Sequence, residues 1–437
     1  MPLYDIGLFD FHLIRGRLSG GADANTASIL PSLMKEYKVL YFPRSEILYN
    51  LSEAERCTLL DKLKIMEGNG LNVSETFKKV ISRKSNFGFL SYKNARNILL
   101  SGYSSEAQNA RILYDNDFNS IWYPYPLYDG DIFEVSCRSG VNKIGVTLRG
   151  TNTINLENHL KIMKIIFANE RLGGNISSIK RYLELFITPY HMDYQISRMK
   201  KNPKLRFIGV VNKMYMNIFE SFKPKRYDIR FYYLHPSDET IFPVNLHNKK
   251  ADDRIFYFAR LVPEKGIFEI PYIALSLKHM RLNFKFRIAG QFTFEPDRNA
   301  FFNLIRKLGV EDVVEYLGFL PLEDLHKELA NSKIFVYPSH SDTFSIAVIQ
   351  ALSQGIAVVA YDIPMLRSMY ENIKPVVFVD EYNTEEMAKK IAYFLVHNEE
   401  RESLFDSASK DFIDLHSSRT RVFKRIKEMI DRELTSL

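Results

Sequence analysis

The chain has 437 residues, a length that calls for two domains rather than one core. Its 46% hydrophobic and 25% charged content is ordinary for a globular protein, and no apolar run approaches the length that spans a bilayer. Two cysteines, Cys57 and Cys137, are too few for a disulfide framework or a metal cluster, and the net charge of +7 points to acidic partners (phosphates, nucleic acid or anionic lipid) without choosing among them.

Asp5 and Asp10 interrupt the apolar residues at the amino terminus, so no signal peptide is expected there. A reducing, cytoplasmic location fits this and the sparse cysteines. Residues 5–13, DIGLFDFHL, read as the first strand. Arg15 and Arg17 follow, then Ser19-Gly20-Gly21. Residues 22–35 read as a helix with Leu30, Leu33 and Met34 inward, and 38–42 as the second strand. A glycine pair in the first βα turn lets a backbone approach a phosphate closely. A plain tight connection is the competing reading.

Residues 52–66 form an amphipathic helix, 97–101 a short buried strand and 104–113 a helix. Asp115-Asn116-Asp117 has the Asp-x-Asp spacing of some metal sites, but two carboxylates in a polar turn arise often by chance. Residues 122–128, WYPYPLY, are a rigid aromatic segment that either lines a sugar cleft or packs against its own domain. Strands are expected at 143–149, 183–188, 205–211 and 228–234, with helices at 157–170 and 191–200. Lys200, Lys201, Lys204 and Arg206 make a basic face, solvated by default. His235-Pro236-Ser237-Asp238 opens a linker that runs to the charged residues 249–253.

A strand at 254–259 starts the second domain and leads into Arg260-Leu261-Val262-Pro263-Glu264-Lys265-Gly266. Residues 284–289 are a strand ending in Gly290, 313–317 a strand ending in Gly318, and 322–330 a short helix. Residues 333–337 are a buried strand stopped by Pro338. A polar loop, 339–343, leads to an apolar helix, 344–354, closed by Gly355 in a left-handed cap. Residues 356–361 are again a continuous apolar run, as parallel strands require. The loop therefore lies at a strand's carboxyl end and a helix's amino end, where open α/β sheets bind ligands and unpaired N–H groups favour anions. A strand at 375–379, a helix at 384–396 and a basic closing helix at 418–434 complete the chain.

The stretch 333–364 resembles the nucleotide-sugar site of the family-4 (group 1) retaining glycosyltransferases, which have the GT-B fold. The family's proline–serine pair falls on Pro338-Ser339, its first acid on Asp342, and its GFG-like turn on Thr343-Phe344-Ser345. Its second acid falls on Gln350, which is a departure. Arg260 and Lys265 match the arginine and lysine that grip the diphosphate in the family; a guanidinium forks onto phosphate oxygens and an ammonium adds a mobile charge. Gly290 matches a turn glycine, but the second glycine of that turn is Phe292 here. Gly20 and Gly21 fall where the family's first domain caps the phosphates.

The resemblance implies an α/β, GT-B architecture: two Rossmann-like domains with parallel sheets facing across a cleft. The first, 1–235, would bind the acceptor. The second, 236–415, would bind a UDP- or GDP-sugar, and 416–437 would cross back to the first. It implies transfer of a hexose to a glycan or lipid-linked acceptor with retention of configuration, needing no cofactor and no metal. Asp115 and Asp117 are set aside for that reason. Asp342 and the N–H groups of Thr343 to Ser345 would hold the sugar, Gln350 would face the ribose, and Ser339 and Gly290 would line the nucleotide. Arg149 falls near the family's sugar-side histidine. No nucleic acid is expected. The basic helices allow peripheral contact with anionic membrane. The Gln350 and Phe292 departures keep a catalytically silent GT-B scaffold in play, and an epimerase on the same fold is the other rival.

Overall fold

In the computed structural model, the structure describes residues 4–10, 21–43, 53–73, 120–123, 141–148, 160, 164, 202–214, 229–235 and 253–436. The chain divides into two compact units. The first holds β1 (Ile6–Asp10), β2 (Val39–Pro43), β3 (Asn72–Val73), β4 (Ser120–Tyr123), β5 (Lys143–Leu148), β6 (Leu205–Val210) and β7 (Arg230–Tyr233). The second holds β8 (Arg254–Phe258), β9 (Lys285–Ala289), β10 (Val314–Gly318), β11 (Ile334–Tyr337), β12 (Ala357–Tyr361) and β13 (Val376–Val379).

Among the described residues each unit has one sheet, ordered β3-β2-β1-β4-β5-β6-β7 and β10-β9-β8-β11-β12-β13, and every strand pair is parallel. Both orders are doubly wound. β11 and β12 are buried at every position, which is why they read as unbroken apolar runs.

β4 is a strand the sequence did not announce. It is four residues long, and Trp122 within it is fully buried, its indole N–H donating to Thr147 Oγ1 at 3.0 Å. Trp122 thus takes the packing role of the two readings given to the aromatic segment; 124–128 lie outside the described residues.

The closing helix is Arg419–Ile430, followed by a π-helical turn at Asp431–Thr435. Val422, Phe423, Ile426, Met429, Ile430 and Leu434 share one core cluster with Ile6, Leu33, Tyr41, Trp122 and Phe207 of the first unit. Polar contacts seal the seam. Tyr37 donates to Asp431 Oδ1 at 2.6 Å, Ser120 to the Leu434 carbonyl at 2.6 Å, and Arg230 pairs with Glu433 at 2.7 Å.

The helix after β1 is Gly21–Glu36, so Gly21 is its first residue, while Gly20, Arg15 and Arg17 lie outside the described residues. Cys137, Asp115, Asp117, Arg149, Lys200 and Lys201 also lie outside them, as do the elements expected at 97–101, 104–113, 183–188 and 191–200. Among the described residues no helix is long and apolar enough to cross a membrane.

Candidate functional site

The second sheet reverses its winding between β8 and β11, which are neighbours in it. Loops leaving the carboxyl ends of strands at such a point diverge, and ligands of open α/β sheets bind there. The loops in question are 259–266 after β8 and 338–345 after β11.

In the first loop Arg260 is exposed, and its guanidinium has no hydrogen-bonded or ion-paired partner among the described residues. The chain then makes a 3-10 turn, Pro263–Lys265, ended by Gly266 at φ 75 with its N–H donating to the Pro263 carbonyl. The Tyr257 hydroxyl donates to the Lys265 carbonyl at 2.9 Å and fastens the turn to β8. A Cβ on Gly266 would lie 1.9 Å from the Pro338 carbonyl oxygen, so only glycine lets the two loops meet this closely. They are stitched there: the His340 N–H donates to the Glu264 carbonyl at 3.0 Å. Ser339 is fully buried, and its hydroxyl lies 3.0 Å from the Ser341 carbonyl and 3.3 Å from that of Glu264.

Asp342 is the hub of the second loop. Its Oδ1 accepts the N–H groups of Thr343 at 2.7 Å and Ser345 at 2.9 Å. Its Oδ2 accepts Lys265 Nζ at 2.7 Å and the Tyr337 hydroxyl. Burial alone would raise the Asp342 pKa; the Lys265 charge, with hydrogen bonds from Lys265, Tyr337 and Thr343, outweighs it and holds the carboxyl below its usual range. Tyr337 is pushed far the other way, by burial first and by Asp342 second, and stays a protonated donor.

Asp342 and two of the amides expected at the sugar, those of Thr343 and Ser345, bond one another here. The carboxylate faces inward with four donors on two oxygens, and two of the amides are spent on it. Asp342 pairs with Lys265, and it satisfies the N–H groups of Thr343 and Ser345 just before the helix Ile346–Ser353. Ser345 is that helix's N-cap, at φ 61, with its Oγ accepting from the Val348 N–H at 3.3 Å. The helix therefore starts two residues later than the apolar pattern suggested. Phe344 also turns inward, its ring 4.8 Å from that of His416 and 5.8 Å from Tyr370.

Lys265 keeps one donor in hand. An ammonium has three N–H bonds. Two go to Asp342 Oδ2 and to the Ser341 carbonyl, each at 2.7 Å, and the third has no acceptor among the described residues. The loops thus offer one ammonium N–H held in a defined direction and one unpaired guanidinium, a pairing suited to an anion with oxygens on two centres.

Gly290 ends β9 at φ 138, and a Cβ there would lie 2.0 Å from the Ala259 carbonyl oxygen. Its carbonyl accepts the Tyr316 hydroxyl at 3.0 Å. Phe292 packs with Phe301 and Tyr316, ring centroids 5.6 Å apart in each pair. Gln350 sits on the Ile346–Ser353 helix and is 7% exposed. Tyr337 and Tyr257 were not foreseen as parts of the site. Their one signal is a hydroxyl at or near the end of a buried strand, which must find a partner. Among the described residues no group of three or more His, Cys, Asp or Glu side chains could hold a metal ion.

Residues 238–411 match the family model described as glycosyl transferases group 1. Alpha-D-kanosaminyltransferase of Streptomyces kanamyceticus is 26% identical over 160 residues, 36% of this chain and 41% of that protein. The likeness thus spans less than half of that relative's length. Among solved structures, sucrose-phosphate synthase from Thermosynechococcus elongatus superposes with TM-score 0.67 at 11% identity, covering 98% of both chains. Anabaena Alr3699/HepE, crystallised with UDP and glucose, superposes with TM-score 0.61 at 12% identity, covering 98% of this chain and 99% of that one. At these identities the superpositions show the fold, which is GT-B.

Proposed function

Residues 238–411 belong to the group 1 glycosyl transferases, and from that premise we propose that the chain moves a hexose from a nucleotide diphospho-sugar to a carbohydrate or lipid-linked acceptor with retention of configuration. Arg260 and Lys265 bind the donor diphosphate. When the bond from the sugar to the diphosphate breaks, negative charge gathers on the leaving phosphate, and cations already in place stabilise it. Asp342, Tyr337 and the Ser341 carbonyl hold the Lys265 ammonium so that it need not be ordered during the reaction. The observation that carries this reading is the spare Lys265 N–H and, in the same loop at the switch point of the second sheet, an exposed Arg260 whose guanidinium has no partner among the described residues. UDP is the first nucleotide to test, because HepE, of the same fold, was crystallised with it.

One observation favours a second reading. The Asp342 carboxylate is fully engaged and Gln350 carries no charge, so the sugar side has fewer open acceptors than the resemblance implies. A catalytically silent scaffold would look like this. The test is release of free nucleotide diphosphate from UDP-glucose or GDP-mannose in the presence of mixed glycan acceptors. Release that Arg260→Ala abolishes supports the transferase. No release from either donor, together with no nucleotide binding, supports the scaffold.

A further inference from the structure

The His340 side chain is buried beside the two site loops. Its ring is 1% exposed. Nε2 lies 2.7 Å from Glu269 Oε1, and Nδ1 lies 2.7 Å from Glu381 Oε1. Glu269 is the N-cap residue of the helix Ile270–His279, and its N–H donates to the Gly266 carbonyl at 3.3 Å. Glu381 stands in the loop after β13, and its neighbour Tyr382 lies against the imidazole with ring centroids 4.7 Å apart. One side chain thus ties together the loops that follow β8, β11 and β13.

The geometry dictates the protonation. An ionised carboxylate only accepts hydrogen bonds, and a neutral imidazole has one N–H to give. With both carboxylates ionised, two short contacts call for a ring protonated on both nitrogens. Burial acts against that charge and is the largest single influence, but the hydrogen bonds and charges of Glu269 and Glu381 together outweigh it and raise the ring's pKa above the ordinary imidazole range. Among the described residues two tyrosines also face the ring, Tyr361 with centroids 5.4 Å apart and Tyr382. Tyr361 and Tyr382 are pushed up, Tyr382 to about 12, by burial first and the same two carboxylates after it, so both stay neutral. Asp342, two residues on, already has its cation in Lys265.

We propose that His340 is a positioning residue: as an imidazolium shared by Glu269 and Glu381 it clamps the 338–345 loop to the Pro263–Lys265 turn, and loss of one ring proton opens the clamp. The consequence for a donor diphosphate rests on the function proposed above; the clamp itself does not. A single lost proton leaves one carboxylate facing a lone pair. That turns an attraction into a repulsion under a buried ring, and the two loops that carry Lys265 and Asp342 loosen together. The sign follows from linkage. A raised pKa in the folded state means the clamp is complete below the unfolded imidazole pKa of about 6.5 and is lost as pH rises through the folded value.

The test is hydrogen–deuterium exchange on the full ligand-free chain from pH 6 to 9, corrected for intrinsic exchange, with UDP titration calorimetry alongside. In the wild type, segments 263–266 and 339–345 should be protected at pH 6 and lose protection in one step at higher pH. His340→Gln should be looser by roughly tenfold at every pH, the size of a lost charge-assisted hydrogen bond, and show no step. Glu381→Gln is the milder variant, since an amide oxygen still accepts from the ring but carries no charge; its step should move to lower pH. UDP affinity should fall through the same step in the wild type, beyond the change seen in His340→Gln, which shares the titration of UDP itself. A wild type without a step, an unmoved midpoint in Glu381→Gln, or full protection in His340→Gln overturns the proposal. An exchange step in a protein that binds no UDP supports the clamp and sinks the donor reading instead.

Discussion

Replacing Lys265 by methionine keeps the length of the side chain and removes its charge. The partner left behind is Asp342, whose side chain is 13% exposed against 17% for Lys265. At an effective dielectric of about 20, a charge pair at contact is worth about 4 kcal/mol. Removing one member of a buried pair costs about 3–5 kcal/mol, because the other charge stays behind. Asp342 would still accept from Thr343, Ser345 and Tyr337. That places the expected loss near the low end, about 3 kcal/mol. The penalty should depend on pH. The Asp342 pKa is held down in the wild type, so its stabilisation is present above the unfolded carboxyl value of about 3.9 and is lost as pH falls through the folded one. Without Lys265 that carboxyl protonates at higher pH, so the variant's deficit should shrink toward pH 4. Adding Asp342→Asn should recover part of the loss at pH 7. The assay is urea unfolding followed by far-UV circular dichroism at pH 7 and pH 4.5. Lys265→Met within about 0.5 kcal/mol of wild type at pH 7, or a double variant no more stable than the single one, would refute the reasoning.

Two further outcomes follow from the same geometry. Gly266→Ala forces a left-handed residue and puts a methyl group on the Pro338 carbonyl; it should cost about 3 kcal/mol or more and lower UDP affinity, read by thermal melting and calorimetry. Ile426→Ala in the closing helix should cost about 2–4 kcal/mol and shift the fluorescence transition of Trp122, the chain's single tryptophan, because both residues belong to one core; an unmoved transition would mean the helix does not support that core.

The framework was legible because its signals are local. β11 and β12 are apolar at every position and bracket a polar loop. The 260–266 turn carried its proline, lysine and glycine in the order the 3-10 turn uses them. What sequence could not show depends on residues far apart. Asp342 looks like an open ligand in the string, and it turns inward because Lys265, 77 positions earlier, and Tyr337 meet it. Ser345 was read as helix, because an apolar run hides where a left-handed cap falls. β4 was missed because four residues ahead of a proline give no periodicity to count. His340 went unremarked because Glu269 and Glu381 lie 71 and 41 positions away from it.

The central claim is that Arg260 and Lys265 form a diphosphate site, and Arg260 is the member that can be removed without touching the core. It is exposed, and among the described residues no hydrogen bond or ion pair of its guanidinium is lost with it. Titration calorimetry of wild type and Arg260→Ala with UDP, GDP and ADP, paired with melting curves, therefore separates binding from folding. The account predicts that at least one of the three nucleotides binds the wild type, that Arg260→Ala weakens it by roughly 10- to 100-fold, as for one charged hydrogen-bonding group, and that the melting temperature does not move. A wild type that binds none of the three, or an Arg260→Ala protein that binds as tightly as wild type, would contradict it.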